Sequence, residues 1–271
     1  MHQCTIMLFT DIGDHVMEGF PSFSDKEFWD DALKKYVERD VRPSGDNGYV
    51  WAYFKHCLQT QNRFFFQNPL VPVIIERYHQ NVFELSTDNP IYRARIDQER
   101  KKRGFEGFDA KESGAPPYCC VKTGGRCNPE YVSFLYAAND IHTAVAEVRP
   151  YFRDSVSIAT LLPKRVLRLV DFYYELKKQG PVVIEGPDPF MNKLCSEFSI
   201  LNKGNEKDYL ITQYLTLLAQ NEGFDGIRFR SSLVRKGVNY VIFDNSNCIP
   251  VESKMYNIPD VTYSIIPMLD T

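Results

Sequence analysis

Nowhere does the chain carry the roughly 20 consecutive apolar residues that a helix needs to cross a bilayer, so no membrane-spanning helix is expected. The opening segment, Met1 to Asp11, has no cationic lead-in and meets an acid early, which does not read as a secretory signal. A basic excess is also missing. With a formal net charge of −3, the surface cannot displace counterions as a general nucleic-acid binder must, and no direct nucleic-acid binding is expected. The seven cysteines are odd in number and lack paired spacing, which fits a reducing compartment better than a disulfide framework. Cys119-Cys120, Cys127 and His142 do not have the spacing of a zinc knuckle, and no metal is expected. Neither Gly-x-Gly-x-x-Gly nor a phosphate loop ending in Gly-Lys-Ser/Thr occurs, which excludes a Rossmann site and a P-loop NTPase. Internal repeats and low-complexity segments are missing too. A cytoplasmic protein is the expectation.

What is present is an ordinary globular composition, 44% apolar and 25% charged over 271 residues, enough for one large domain or a small one joined to a medium one. Ser24-Asp-Lys-Glu27 has capping-box spacing and opens a helix on which Phe28, Leu33, Tyr36 and Val37 recur at helical intervals up to Arg42-Pro43. Asp46-Asn-Gly48 reads as a loop, and Tyr49 to Gln61 and Val71 to Phe83 read as two further helices. Residues 1–87 are therefore expected to form a helical module rich in aromatics, a packing, dimerisation or partner surface.

Residues 88–255 have another character, with 256–271 as a tail. Ile91 to Arg95 alternates apolar and basic like a half-buried strand. Residues 97–130 are charged, then rich in Gly and Pro, and read as a long functional or mobile loop. Phe134 to Ala138 is a strand feeding a helix capped by Asp140 and stopped by Pro150. Val156 to Leu162 and Val166 to Phe172 are expected to form a hairpin across Pro163-Lys-Arg165. Residues 180–205 read as irregular, and Lys207 to Asn221 as a helix ended by Gly223. Asp225 to Arg230 and Asn239 to Phe243 are the last expected strands. Several strands with few βαβ units predict an α+β protein with a compact mixed or antiparallel β core.

The chemistry-bearing residues lie on that core. Arg126 follows two glycines, so the backbone there can turn tightly and approach an anion. A planar, permanently charged guanidinium suits a pyrophosphate as lysine does not. Tyr136 sits in the strand and can stack on a flat base. Glu147 falls in the last turn of the following helix, where the macrodipole disfavours a negative charge by roughly 0.3–1 kcal/mol. A carboxylate placed against the dipole points to a use other than stability. Ser231 and Ser232 end a strand and can hydrogen-bond a ribose or carboxamide. Each of these has a plainer account when taken alone: Arg126 paired with a surface acid, Glu147 with Arg149 or Arg153, Tyr136 in the core, the serines in a turn.

Taken together and in order, Gly125-Arg126-Cys127-Asn128-Pro129, Leu135-Tyr136-Ala137-Ala138, Thr143-Ala-Val-Ala-Glu147 and Gly223-Phe-Asp-Gly-Ile-Arg-Phe-Arg-Ser231 with Val241-Ile-Phe243 resemble the RES domain, over about residues 91 to 250. That resemblance implies a fold related to ADP-ribosyltransferases and the degradation of NAD by phosphorolysis or hydrolysis. NAD is then substrate, and inorganic phosphate a candidate co-substrate. It also implies a toxin or defence effector restrained by an antitoxin, immunity or regulatory partner, with a homodimer as a further option. Carried over, Arg126, Glu147 and Ser231 are the catalytic set, and Arg126, Tyr136, Arg93, Ser231 and Ser232 the substrate-binding set. Where many members have an aromatic residue straight after the motif arginine, this chain has Cys127. Two rival functions stay open: ADP-ribosyl transfer to a macromolecule, and a binding module with a decayed pocket.

Overall fold

Asp25 opens the first helix. Its carboxylate accepts the Phe28 N–H at 3.2 Å, and α1 runs Lys26–Glu38. Ser24, the expected cap, lies outside the described residues. The structure, a computed structural model, describes residues 22, 25–38, 47–61, 66–97, 107–173, 178–179, 182–183, 189–200 and 209–262. The chain divides into two compact units, Met1–Val71 and Pro72–Thr271.

In the first unit the buried pair on α1 is Trp29 and Leu33, one turn apart, while Phe28 is 42% exposed. Tyr36 and Val37 have side chains outside the described set. Helix α2 (Asn47–Thr60) starts at the Asn-Gly expected in a loop. Trp29 stacks on Tyr53 at 5.3 Å and Trp51 on Phe54 at 5.0 Å, so flat rings make this unit's core.

Helix α3 (Leu70–Gln80) crosses the division and stops before Phe83, which belongs to strand β1 (Val82–Leu85). Then come β2 (Ile91–Ile96), β3 (Leu135–Ala138), α4 (Ile141–Val148), β4 (Ser155–Pro163) and β5 (Leu167–Phe172). A two-stranded ribbon follows, β6 (Lys178–Gln179) with β7 (Val182–Val183). The rest are α5 (Pro189–Ser199), α6 (Leu210–Asn221), β8 (Gly226–Arg230), β9 (Val238–Ile242) and β10 (Cys248–Asn257). Eight strands form one sheet in the order β1-β5-β8-β9-β3-β2-β4-β10, antiparallel except for the parallel pair β5–β8. This is a mixed α+β architecture, with helices preceding the β core.

The expected hairpin between β4 and β5 does not form. β4 lies between β2 and β10, and β5 between β1 and β8. Both strands are buried along nearly their whole length, so each needs a neighbour on either side. Only a few residues join them although they stand far apart in the order, so the sheet must fold back on itself. Leu161 of β4 accordingly shares one core with Leu167 and Leu169 of β5, Leu85 of β1 and Tyr240 of β9.

The outer surface is covered by helices. Ala144 of α4 packs on Ala94, Ala138, Val156 and Ile158 of the sheet, and the small alanines on both sides admit the helix closely. Over β5 and β8, Phe198 of α5 stacks on Phe172 at 4.3 Å and meets Phe229 at 5.6 Å. Residues 180–205 are thus not all irregular, since α5 lies within them. The C-terminal strand β10 also runs past the boundary expected at 255. Gly226 has room for no side chain, because a Cβ there would run into the Val241 carbonyl oxygen. The described part of the long segment after β2 is tied to the sheet. Phe108 N–H donates to Ser157 Oγ at 2.9 Å, Ser253 Oγ donates to Phe108 O at 2.8 Å, and Ala115 N–H donates to Asn245 Oδ1 at 3.0 Å.

Candidate active site

The sheet parts at one seam. β2 and β3 are in register only at Tyr92↔Ala138, and beyond that pair Arg93 Nη1 donates to the Tyr136 carbonyl at 3.1 Å. A side chain takes the place of a ladder bond, and the seam opens into a cleft of about 810 Å³. Arg93, Arg126, Tyr136, Glu147, Ser232 and Asn239 all line it. The side chains at 126 and 147, expected to face one ligand, thus share one cavity.

Arg126 is carried by a loop closed from several sides. Gly125 N–H donates to Asn128 O at 2.8 Å, and Gln213 Nε2 of α6 donates to Gly125 O at 2.8 Å and Asn128 O at 3.1 Å. Thr212 Oγ1 reaches the Arg126 carbonyl at 2.5 Å. The Tyr136 hydroxyl donates to Asn128 Oδ1 at 2.6 Å and accepts the Cys127 N–H at 3.0 Å. This clasp explains the second glycine, because a Cβ on Gly125 would stand 2.7 Å from Asn128 Oδ1 and 3.1 Å from the Tyr136 oxygen. Burial holds the Tyr136 phenol well above its ordinary pKa, so it stays a neutral donor. Tyr136 therefore has both roles weighed for it: a satisfied hydroxyl inside, and a half-buried ring on the cleft.

Arg126 Nη1 donates to the carbonyl of Phe198, in the last turn of α5, where a helix leaves its carbonyls unpaired and negative. That bond uses one nitrogen of the guanidinium, and no acid pairs with it among the described residues. Cys127 is fully buried, does not line the cleft, and has its thiol pKa pushed up to about 12 by burial. Position 127 thus offers nothing to a ligand here.

Glu147 is fixed from two strand ends. Asp140 caps α4, accepting the Thr143 N–H at 2.8 Å, and Glu147 follows in the helix's last turn. Its Oε1 accepts from Ser231 Oγ at 2.6 Å and from Asn239 Nδ2 at 2.7 Å. Ser231 in turn accepts the N–H groups of Leu233 and Val234 at 3.1 Å each, so its hydroxyl is used completely. Oε2 has no partner among the described residues. Arg149, the expected plain partner, is instead the left-handed C-cap of the helix, with φ 49. Glu147 is exposed as a residue, whereas Ser231 and Asn239 behind it are buried.

Arg93 is a partly buried charge on the cleft. Burial lowers its pKa to about 10, its Nε is buried without a hydrogen-bond partner, and no acid pairs with it among the described residues. With Lys122, Arg126 and Arg149 it makes four cations on the cleft against the one carboxylate of Glu147 among the described residues. A narrow site with that balance draws an anion in. No grouping of three or more His, Cys, Asp or Glu suited to a metal occurs among the described residues.

The family model for the RES domain matches residues 90–264. The chain belongs to the RES domain family. A solved structure, that of the M.tuberculosis MbcT-MbcA toxin-antitoxin complex, is similar to it at a TM-score of 0.40 and 12% identity, covering 68% of this chain and 91% of that one. No curated protein matches it by sequence. Within the RES domain, the residues expected from sequence meet as described: Arg93, Arg126, Tyr136, Glu147 and Ser232 on the cleft, with Ser231 directly behind Glu147. Sequence reading missed Asn239, Asn128, Thr212 and Gln213. Asn239 left a trace, an amide early in an otherwise apolar strand, and Asn128 stood inside the Gly125–Pro129 motif without a role of its own; Thr212 and Gln213 left none.

Proposed function

We propose that this RES domain binds NAD in the cleft and breaks the bond between nicotinamide and ribose, with water or inorganic phosphate as acceptor. One observation carries this reading: a carboxylate with one oxygen pinned and the other open among the described residues, in the same cavity as two guanidiniums that no acid among them neutralises. The cavity is of the size that holds small-molecule ligands.

Arg93 and Arg126 take the pyrophosphate, whose paired oxygens match a guanidinium fork. Breaking the C1′–N bond sends its electron pair to the pyridinium nitrogen, which leaves as neutral nicotinamide. Positive charge then develops on the ribose, as in other glycosyl transfers. The open Oε2 of Glu147 stands in a site where a fixed anion stabilises that charge without having to reorganise. Ser231 and Asn239 act through Glu147 by holding its other oxygen, while Ser232 and the Tyr136 ring meet the ligand. Water or phosphate then adds to C1′, giving ADP-ribose or its 1-phosphate. In the cell such an activity suits a growth-arresting toxin restrained by a partner protein.

Purified protein incubated with NAD, with and without phosphate, tests this by its products. Free nicotinamide with ADP-ribose means hydrolysis, and with phosphorylated ADP-ribose, phosphorolysis. Label retained on a macromolecule means transfer, and intact NAD means a binding module. The holding role of Asn239 has its own test. Asn239→Leu removes a hydrogen bond to a charged group, and kcat is expected to fall by roughly 10–100-fold with little change in KM. Full activity in this variant would leave Asn239 a purely structural residue.

A further inference from the structure

Among the rings that line the cleft, Tyr209 differs from the rest. Phe134 and Phe229 are 2% and 3% exposed and belong to the interior. The Tyr136 hydroxyl is spent on the Arg126 loop, and Tyr92 packs on the cluster beneath α4. Tyr209 is half-buried, and its hydroxyl has no partner among the described residues. It stands at the N-cap of α6 but caps nothing with its side chain. It is also held to the Arg126 loop from its own helix. Thr212 Oγ1 lies 2.5 Å from the Arg126 carbonyl and 3.1 Å from the Tyr209 carbonyl, and Gln213 grips Gly125 and Asn128 in the next position. The Arg126 guanidinium lies over the Tyr209 ring, 6.0 Å from its centre, at the outer limit of a cation–π contact.

From this we infer that Tyr209 forms a base-stacking subsite: it takes a planar, ribose-linked base whose phosphate is held by Arg126. The ring and the guanidinium are carried by one hydrogen-bonded body, so the spacing between a base and its phosphate is set before the ligand arrives. Every base offers a π-face, and stacking on an exposed ring is a main source of nucleotide affinity. The position also answers the departure at Cys127, whose buried thiol cannot stack: an aromatic face reaches the neighbourhood of the motif arginine from α6 instead of from the next residue.

The inference rests on the nucleotide-binding half of the proposed function and not on catalysis, so binding is the readout. The affinities of ADP-ribose and of nicotinamide mononucleotide are measured by calorimetry for the full-length wild type, Tyr209→Phe and Tyr209→Ala. Tyr209→Phe is expected to match the wild type, because the hydroxyl bonds nothing among the described residues, and Tyr209→Ala to bind one of the two ligands roughly tenfold more weakly. The ligand that weakens identifies the half of the dinucleotide that stacks. Equal affinities in Tyr209→Ala for both ligands overturn the subsite, as does a wild type that binds neither. An unchanged thermal transition in Tyr209→Ala shows that the fold is intact. Tyr209-dependent binding without turnover of NAD would leave the subsite standing and remove the cleavage reaction.

Discussion

Glu147→Gln is expected to lower NAD turnover by roughly 10²–10³-fold, the scale on which single preorganised electrostatic groups act. The two carboxylate oxygens of Glu147 have different tasks. Oε1 accepts from Ser231 and Asn239, and a glutamine amide oxygen can accept both of those bonds unchanged. Only the open Oε2 is replaced, by a neutral NH₂ of nearly the same shape. Ground-state contacts are therefore kept, and the loss falls on the charge that develops as nicotinamide leaves. The change should appear in kcat, with KM little altered. If NAD depletion arrests growth, the wild type should be hard to clone while this variant expresses readily. Turnover in Glu147→Gln within a few-fold of the wild type would mean that another group meets the ribosyl cation.

What the sequence disclosed and what it hid divide along the range of the interactions concerned. Arg126, Tyr136 and Glu147 lie on contiguous pieces, a glycine turn, a strand and a short capped helix, whose local rules can be read from residue types alone. The Asp140 cap and the stop before Pro150 are of this kind. The order of the strands is not. β4 and β5 are both apolar and joined by a few polar residues, which is also how a hairpin looks, and only pairing with distant strands separates them. Helix α5 had its signal in plain view: Phe190, Met191, Leu194, Cys195 and Phe198 recur at helical spacing and are all buried. The proline-rich segment before it hid that periodicity. β10 was lost for the opposite reason, since Pro250 and its charged residues suit an edge strand and weaken the apolar alternation. The site followed the same rule. Residues that would touch a ligand were legible by type, whereas Thr212 and Gln213 act by hydrogen bonds between elements far apart in the chain and have no local signature.

Removing the Arg93 charge with Arg93→Met is expected to abolish tight binding of the dinucleotide while leaving the fold at least as stable. Arg93 donates one hydrogen bond, to the Tyr136 carbonyl, and its buried Nε donates none. Burial lowers its pKa to about 10, below the ordinary arginine value, so the folded protein holds this proton more weakly than the unfolded chain does. The sign follows. This group's unfavourable contribution to folding is present in full below about pH 10, and it is relieved only as pH rises from there towards the ordinary arginine value. Methionine fills a similar volume with no charge to desolvate, and comparable replacements of buried ionic groups are often neutral or stabilising. Binding should respond in the other direction. A charge-assisted pair to phosphate is worth about 1.5–3 kcal/mol, and its loss weakens ADP-ribose roughly 10–100-fold. Thermal unfolding and calorimetry on one pair of samples decide the matter. A variant that unfolds several degrees earlier makes Arg93 a structural bridge across the seam between β2 and β3, and one that binds as well as the wild type takes the phosphate away from it.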